Sequence, residues 1–453
     1  MEIIIVGCGK VGATLVEQLS SENHNIVVID EREEKIQAIT NEYDAMGVIG
    51  NGVSYQTLLE AGIAKADLLI AVTGSDEQNL LSCVIARKTG NCKAIARIQN
   101  PVYHAETTFL RDILGIAMIT NPDFSSAADI ARVFQFPSAV KIDTFAKGRT
   151  EMIHFRIPKD SVLENFPLYQ LRKELNCDVL VCMVTRGEEV VIPRGDFVFR
   201  AGDVVAIVST PSNATKFFKK IGINTGRIRT AMLVGGGKIA YYLAKRLIAS
   251  GVKTKIIEIN PSRCEKLSEL LPDATIICGD GTNQKLLIQE DIANVEGFAA
   301  LTGLDEENIL LSLFAKKVSS AKVVTKIDHI NFSSVLNDLN MDSICYPRLL
   351  TAEAIIKYAR SMNASLHTNV ENLYKLQDGR VEAMEFYIKA PEENITSIPL
   401  QNMSFKKNIL ICSIMRGGKI LIPSGQDMLM PSDSVVIVAA GHHISDLKEI
   451  IEA

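Results

Sequence analysis

No stretch of this chain is apolar for long enough to cross a bilayer as a helix. The longest runs, such as "DSVVIVAAG" ending at Gly441, reach about half of the roughly 18 residues required. The opening "MEIIIVGCGKVG" lacks the basic region and cleavage site of a secretory signal, and its apolar residues read as a first strand. Cys-x-x-Cys pairs are missing too. The nine cysteines are scattered, and their odd number suits reduced thiols and a cytoplasmic location. The seven histidines show no metal-ligand spacing, and the pair His442-His443 reads as a solvated turn, so no metal site is expected. There is no basic tract, and the net charge is −5, which argues against nucleic acid and against direct binding to anionic lipid.

What remains is an ordinary globular composition, 47% hydrophobic and 22% charged, in 453 residues, a length for about three domains with two to four plausible. Within it one pattern is written twice. An apolar run, a glycine-rich turn and a helix-spaced segment occur in "MEIIIVGCGKVG" and again in "TAMLVGGGKIA" from Thr230. Strand, phosphate loop and helix in that order are a Rossmann-type start. Gly7 allows the tight turn, Gly9 lets backbone approach a pyrophosphate, and Gly12 lets the helix pack on the strand, while Cys8 is a small residue in the turn or a redox sensor. The second strand, "HNIVVID", ends at Asp30, near the spacing expected of a carboxylate that binds an adenosine ribose. In the second copy Gly235, Gly237 and Ala240 take the glycine places and Glu258 takes that of Asp30; Gly235 and Glu258 each follow their counterparts by 228 positions.

The register continues. "VIGNGVSYQTLLEAGIAKADLLIAVTGSDEQNLLSCVIARK" from Val48 aligns with "IICGDGTNQKLLIQEDIANVEGFAALTGLDEENILLSLFAKK" from Ile276 or Ile277, the offset now being 229. Short strands alternating with amphipathic helices give an α/β fold, with a doubly wound parallel sheet in each half. Ligands of such sheets sit at the carboxyl ends of the strands. Asn51-Gly52, Thr73-Gly74 and Arg97 fall there, the first as an adenine pocket and the last as a phosphate contact or a solvated strand end. After each Rossmann-like unit comes a small β-rich module closing on a helix, "PSNATKFFKKIG" in the first and "HHISDLKEII" in the second, and the two modules share no candidate polar residue. The chain therefore divides into a nucleotide-binding unit at 1–140, a C-terminal module at 141–222, a second nucleotide-binding unit at 223–368 and a second module at 369–453. The apolar segments after Arg132 and Arg360, including "VFQF", are where swapping or dimer contacts are expected.

The combination of "VGCGKVG", "VVID", "IGNG", "AVTGSDEQNLLSCVIARK" and "ARIQNPVY", followed by the β-rich module and duplicated over essentially the whole chain, resembles the regulator-of-potassium-conductance (RCK, or KTN) domains in the tandem form of Trk-type potassium-uptake regulatory subunits. The resemblance implies a cytoplasmic subunit that binds NAD(H) or adenine nucleotides such as ATP and ADP. It further implies a homo-oligomer, a tetrameric ring, peripheral on the inner face of the cell membrane through a membrane potassium-translocating subunit of the Trk type. It carries nucleotide contact to Gly7, Cys8, Gly9, Lys10, Val11 and Gly12, then to Asp30, Asn51, Gly52, Val72, Thr73 and Arg97. In the second half the matching positions are Gly235, Gly236, Gly237, Lys238 and Ile239, then Glu258, Asp280, Gly281, Leu301, Thr302 and Lys326. Lys326 lacks the bidentate fork of Arg97, and Asp280 is acidic where Asn51 is neutral, so the halves are expected to differ in ligand preference.

Two other functions compete. An NAD-dependent oxidoreductase needs a proton donor or acceptor beside the nicotinamide, and no tyrosine-lysine or histidine-carboxylate set is recognisable. A scaffold binding nothing is opposed by the intact Gly7, Gly9, Gly12 and Asp30. A non-enzymatic regulator needs only a nucleotide that binds two conformations unequally. Asp30 and Glu258 disfavour a 2′-phosphate and so favour NAD(H) over NADP(H), while they suit the ribose of ATP or ADP equally well.

Overall fold

Strands that are apolar at every position belong in a sheet covered on both faces, and the first strand shows why. In the computed structural model of the chain, β1 (Glu2–Val6) is buried from Ile3 onward and β4 (Leu68–Ala71) at all four positions. The structure describes every residue except 23, 91, 138, 146–149, 224–226, 329–338, 340, 342, 368–369, 377–379, 393–394, 443, 445 and 453. Around β1 the chain continues through α1 (Lys10–Ser20), β2 (Asn25–Asp30), α2 (Glu33–Glu42), β3 (Met46–Ile49) and α3 (Tyr55–Glu60). After β4 come α4 (Asp76–Thr89), β5 (Lys93–Arg97), α5 (Pro101–Ala105), α6 (Thr107–Leu114), β6 (Met118–Thr120) and α7 (Pro122–Gln135). All six strands are parallel, in the order β3-β2-β1-β4-β5-β6. The order reverses between β1 and β4, and that is where the crevice for a ligand opens.

The first β-rich module follows as β7 (Ala139–Phe145), β8 (Thr150–Arg156), α8 (Leu171–Leu175), β9 (Val179–Arg186), β10 (Glu189–Val191), β11 (Val204–Ser209) and α9 (Pro211–Lys220). Its sheet is antiparallel, in the order β10-β9-β11-β8-β7. The pattern then repeats. The second parallel sheet contains β12 (Thr230–Val234), β13 (Lys253–Glu258), β14 (Thr275–Cys278), β15 (Gly297–Ala300), β16 (Lys322–Lys326) and β17 (Ile344–Cys345) in the order β14-β13-β12-β15-β16-β17. Its helices are α10 (Lys238–Ala249), α11 (Pro261–Leu270), α12 (Gln284–Gln289), α13 (Asp305–Val318) and α14 (Pro347–His367). The second module is an antiparallel sheet of β18 (Val370–Leu376), β19 (Val381–Tyr387), β20 (Ile409–Arg416), β21 (Lys419–Leu421) and β22 (Ser434–Ala440), in the order β18-β19-β22-β20-β21. The α/β class with two parallel sheets, each followed by a β-rich module, is thus as read from the sequence.

Sequence order and spatial grouping differ. The two parallel sheets form one compact unit, residues 1–130 with 230–359, and the two modules form another, residues 131–229 with 360–453. In the first unit an aromatic cluster joins the halves: Tyr242 packs edge-on against His104 and Phe124, and Arg246 sits over the Phe124 ring at 4.5 Å. In the second unit the sheets share one core, in which Phe145, Met152 and Cys182 of the first module meet Leu376, Val381 and Cys412 of the second.

Two details depart from the sequence reading. "HHISDLKEII" closes the second module as a single 3-10 turn, Leu447–Ile450, capped by Asp446, after which Ile451 bridges Phe405; His443 lies outside the described residues. The modules do share a polar pair, because Arg186–Asp203 and Arg416–Asp433 are the same two-pronged ion pair in each, with the carboxylate fully buried. In "VFQF", Val133 and Phe134 are buried and Phe136 packs on the first module's core.

Candidate nucleotide-binding site

The tight turn after β1 is required by what lies beside it. Gly7 has φ +105°, and a Cβ there would stand 2.9 Å from the amide nitrogen of Thr73 at the end of the neighbouring strand β4. Gly12 is equally constrained, since its Cβ would meet the Gly7 carbonyl oxygen at 2.0 Å. Gly9 is different: nothing lies within 4 Å of where its Cβ would be. It caps α1 with no side-chain acceptor, and a helix start of this kind favours an anion.

Across this turn stands Asp30 at the end of β2. Its carboxylate accepts the Cys8 N–H at 2.8 Å and the Arg32 N–H at 3.1 Å, holding the glycine loop against the second strand. Cys8 is buried, and burial with the charge of Asp30 pushes its thiol up to about 12, so it is an inert turn residue rather than a redox sensor. Asn51 caps its own turn by accepting the Val53 N–H at 2.9 Å, and a Cβ on Gly52 would run into Val6 at 2.1 Å.

These strand ends enclose a cavity of about 710 Å³. Of the residues expected in the first half, Gly7, Gly9, Lys10, Val11, Asp30, Asn51, Gly52, Val72, Thr73 and Arg97 line it, while Cys8 and Gly12 do not. Six lining side chains are cationic (Lys10, Arg32, Lys35, Arg97, Lys326, Arg348) and four are anionic (Asp30, Glu31, Asp123, Asp328), a positive balance on an acidic chain that suits phosphates. Arg97 donates to the Thr73 carbonyl at 2.8 Å, and its Nε is buried without a partner. Burial lowers its pKa, and Asp76 and Asp123 oppose that.

The cavity also takes in Ile239, Lys326, Asp328, Pro347 and Arg348, all from the second half. Lys326, the counterpart of Arg97, donates to Asp328 at 2.7 Å and to the Thr302 carbonyl at 3.2 Å. Asp123 and Arg348 occupy equivalent places, each following the proline that starts α7 or α14. Burial raises the Asp123 pKa against the pull of Lys238, Arg97 and Lys326, whereas burial lowers that of Arg348.

The remaining second-half residues gather at the carboxyl edge of their own sheet, outside that cavity. Gly235 repeats the turn at φ +101°, with its Cβ position 2.7 Å from the Leu301 carbonyl; Gly236, Gly237 and Lys238 lead into α10; Gly281 sits against Val234; and Thr302 follows Leu301 at the end of β15. Asp280 accepts from Thr282 through both N–H and Oγ1, which lowers its pKa. Glu258, only 4% exposed, is fully engaged: it accepts the Gly236 and Asn260 N–H groups at 2.8 Å each and pairs with Arg263 at 3.3 Å.

Four residues that shape the site carried no role in the sequence reading. Asn79 accepts the Thr73 N–H at 2.8 Å and donates to the Arg97 carbonyl at 2.8 Å, tying the ends of β4 and β5 together. Asn308 does the same with Thr302 and Lys326. Asp76 accepts the N–H groups of Gln99 and Asn100, and Asp305 that of Asp328. The signal was present in the repeated "SDEQN" and "LDEEN", since both asparagines and both aspartates keep their places.

The fold and this edge define a class: paired Rossmann units, the first of which turns its glycine loop to a polar, cationic cleft. The TrkA-N domain family matches residues 3–122 and 231–347, and the TrkA-C domain family matches residues 152–222 and 389–452. The chain belongs to the TrkA family, as a tandem of these two domains. It is similar to a Trk system potassium uptake protein TrkA homolog from Archaeoglobus fulgidus, at 31% identity over 99% of this chain and 100% of the relative. The Trk system potassium uptake protein TrkA of Vibrio alginolyticus is 29% identical over 100% of this chain and 99% of its own. Among solved structures the GsuK channel shares the fold, with a TM-score of 0.65 at 17% identity over 97% of this chain and 77% of that one. A second structure of that channel, described as bound to NAD, has a TM-score of 0.64.

Proposed function

We infer that this chain is a nucleotide-binding regulatory subunit of a Trk-type potassium uptake system rather than an enzyme. Its nucleotide-binding units are 1–140 and 223–368, and its C-terminal modules are 141–222 and 369–453. The observation that carries the reading is the cavity at the first glycine loop, which joins an adenosine-ribose carboxylate, Asp30, to a cationic set drawn from both halves. NAD(H) fits that chemistry, with ATP or ADP as the related ligands, and Asp30 disfavours a 2′-phosphate. The TrkA relatives, named for potassium uptake, support the potassium system, and GsuK structures bound to NAD and to ADP support those nucleotides as ligands.

The mechanism needs a ligand that binds two conformations unequally, because one that binds both equally shifts nothing. Lys326, Arg348 and Ile239 reach the first-half cavity from the second half, so a ligand there stabilises one arrangement of the paired units. The change passes to a separate membrane potassium-translocating subunit on which a ring of this protein, a tetramer, docks from the cytoplasmic side. No helix among the described residues is long and apolar enough to cross a membrane. Among the described residues the cavity lining holds no histidine, the side chain that most often moves protons in catalysis.

Calorimetric titration with NADH, NAD, ATP and ADP tests the reading. Asp30→Ala is expected to weaken binding at the first half at least tenfold, the effect of losing about 1.4 kcal/mol, and Glu258→Ala to affect only the second. Wild-type protein that takes up none of the four would overturn the reading.

A further inference from the structure

The second half carries a pair of thiols that the first half lacks. Cys278 ends β14 and is the direct partner of Glu258 in the parallel register; the same place beside Asp30 is held by Ile49. Residues in register across a parallel pair point to the same face, so Cys278 projects towards the side on which Glu258 meets Arg263 of α11. Cys264 stands one residue further along α11, and its Sγ donates to the Glu258 carbonyl at 3.3 Å. The two thiols are neighbours: burial first, and then the hydrogen-bonding presence of Cys278, push the Cys264 thiol up to about 11. Among the described residues, which include all nine cysteines, Cys278 alone is exposed.

An exposed thiol backed by a buried one is the arrangement of an attacked and a resolving cysteine. We propose that Cys264 and Cys278 form a reversible disulfide on exposure to peroxide, and that this bond controls the second glycine loop through Glu258. The thiolate of Cys278 attacks one peroxide oxygen; the O–O bond breaks, a sulfenic acid forms, and the departing hydroxide takes up a proton to leave as water. Cys264 sulfur then attacks the sulfenic sulfur, the S–O bond breaks, and the hydroxyl leaves with the Cys264 proton as a second water. The pair loses two electrons and peroxide gains them, so no further reagent is needed. A thiol donor returns the electrons.

Closing the bond removes the S–H that donates to the Glu258 carbonyl and draws the first turn of α11 towards β14. Arg263 moves with that turn, and Arg263 and the Gly236 N–H are what hold Oε2 of Glu258. The glycine loop therefore loses its fixed carboxylate partner on oxidation. The effect on nucleotide rests on the function inferred above; the disulfide and the loop movement do not.

The test uses the full chain, reduced or treated with hydrogen peroxide. Peptide mapping is expected to find residues 264 and 278 linked, two hydrogens lighter and restored by dithiothreitol. Amide exchange at residues 235–237 and 261–270 is expected to rise on oxidation, and NADH affinity at the second half to fall about tenfold, within the usual range of site-to-site coupling. Cys278→Ser should keep the reduced-state affinity and lose the response. Cys264 still open to alkylation after peroxide, or unchanged exchange in the linked protein, would overturn the proposal. If the reduced protein binds no nucleotide, the functional reading fails on that titration alone, while mapping and exchange still decide the switch.

Discussion

Glycines that look alike in the sequence do unlike jobs. Gly7 is held by its neighbours, at φ +105° with the Thr73 amide 2.9 Å from any Cβ, whereas Gly9 has open space before it. Gly7→Ala is therefore expected to cost about 1–3 kcal/mol of stability, the usual range for a residue forced into a strained backbone region. Gly9→Ala should cost at most about 1 kcal/mol, through a poorer helix cap, yet reduce NADH binding more than it reduces stability. Thermal melting beside calorimetry separates the two, and a Gly9 variant that melts as low as the Gly7 variant while binding normally would sink the distinction. The sequence placed both residues correctly because the turn and helix start are local. It did not foresee that the Glu258 carboxylate is wholly occupied by Gly236, Asn260 and Arg263, since Arg263 arrives from a helix whose approach only the packed sheet sets.

Single elements carry their own electrostatics. In the β7–β8 hairpin, Asp143 accepts from buried His154 at 2.8 Å and pairs with Lys141 at 2.9 Å. Burial works against the charged carboxylate, but Lys141 and His154 outweigh it and hold the pKa below the ordinary range. A carboxyl depressed in the folded state lends stability that is complete above the unfolded value near 3.9 and is lost as pH falls below it. Denaturant unfolding from pH 5 to pH 3 should thus cost the wild type about 1 kcal/mol more than Asp143→Asn; equal slopes would remove the ion pair from the account. The strands themselves were legible, because period and turn residues are local properties. The closing "HHISDLKEII" read as a helix for the same reason, although Ile444, Leu447 and Ile450 all enter the core there through a short turn. Nor did composition reveal that Arg186–Asp203 and Arg416–Asp433 match, since each pair is 17 residues apart and is closed by the sheet.

At the scale of the whole molecule, like units pair with like rather than with their neighbours in sequence. A chain cut between residues 222 and 230 should consequently stay together, because Tyr242 packs on His104 and Phe124 and the two modules share the core around Cys182 and Cys412. Co-expressed fragments are expected to co-elute at the size of the intact protein; separate peaks would show that these shared contacts do not suffice. Asp123 and Arg348 give the pairing a further meaning. When two copies of one polypeptide associate symmetrically, the same patch serves on both sides, so each position is answerable to two roles at once. Fusion removes that double duty, and an acid can settle on one side where its counterpart is a base. The two halves have thereby ceased to be interchangeable: a protein assembled from two first halves would meet acid where it now finds base, and the repeat has become, in effect, a heterodimer inherited as one gene.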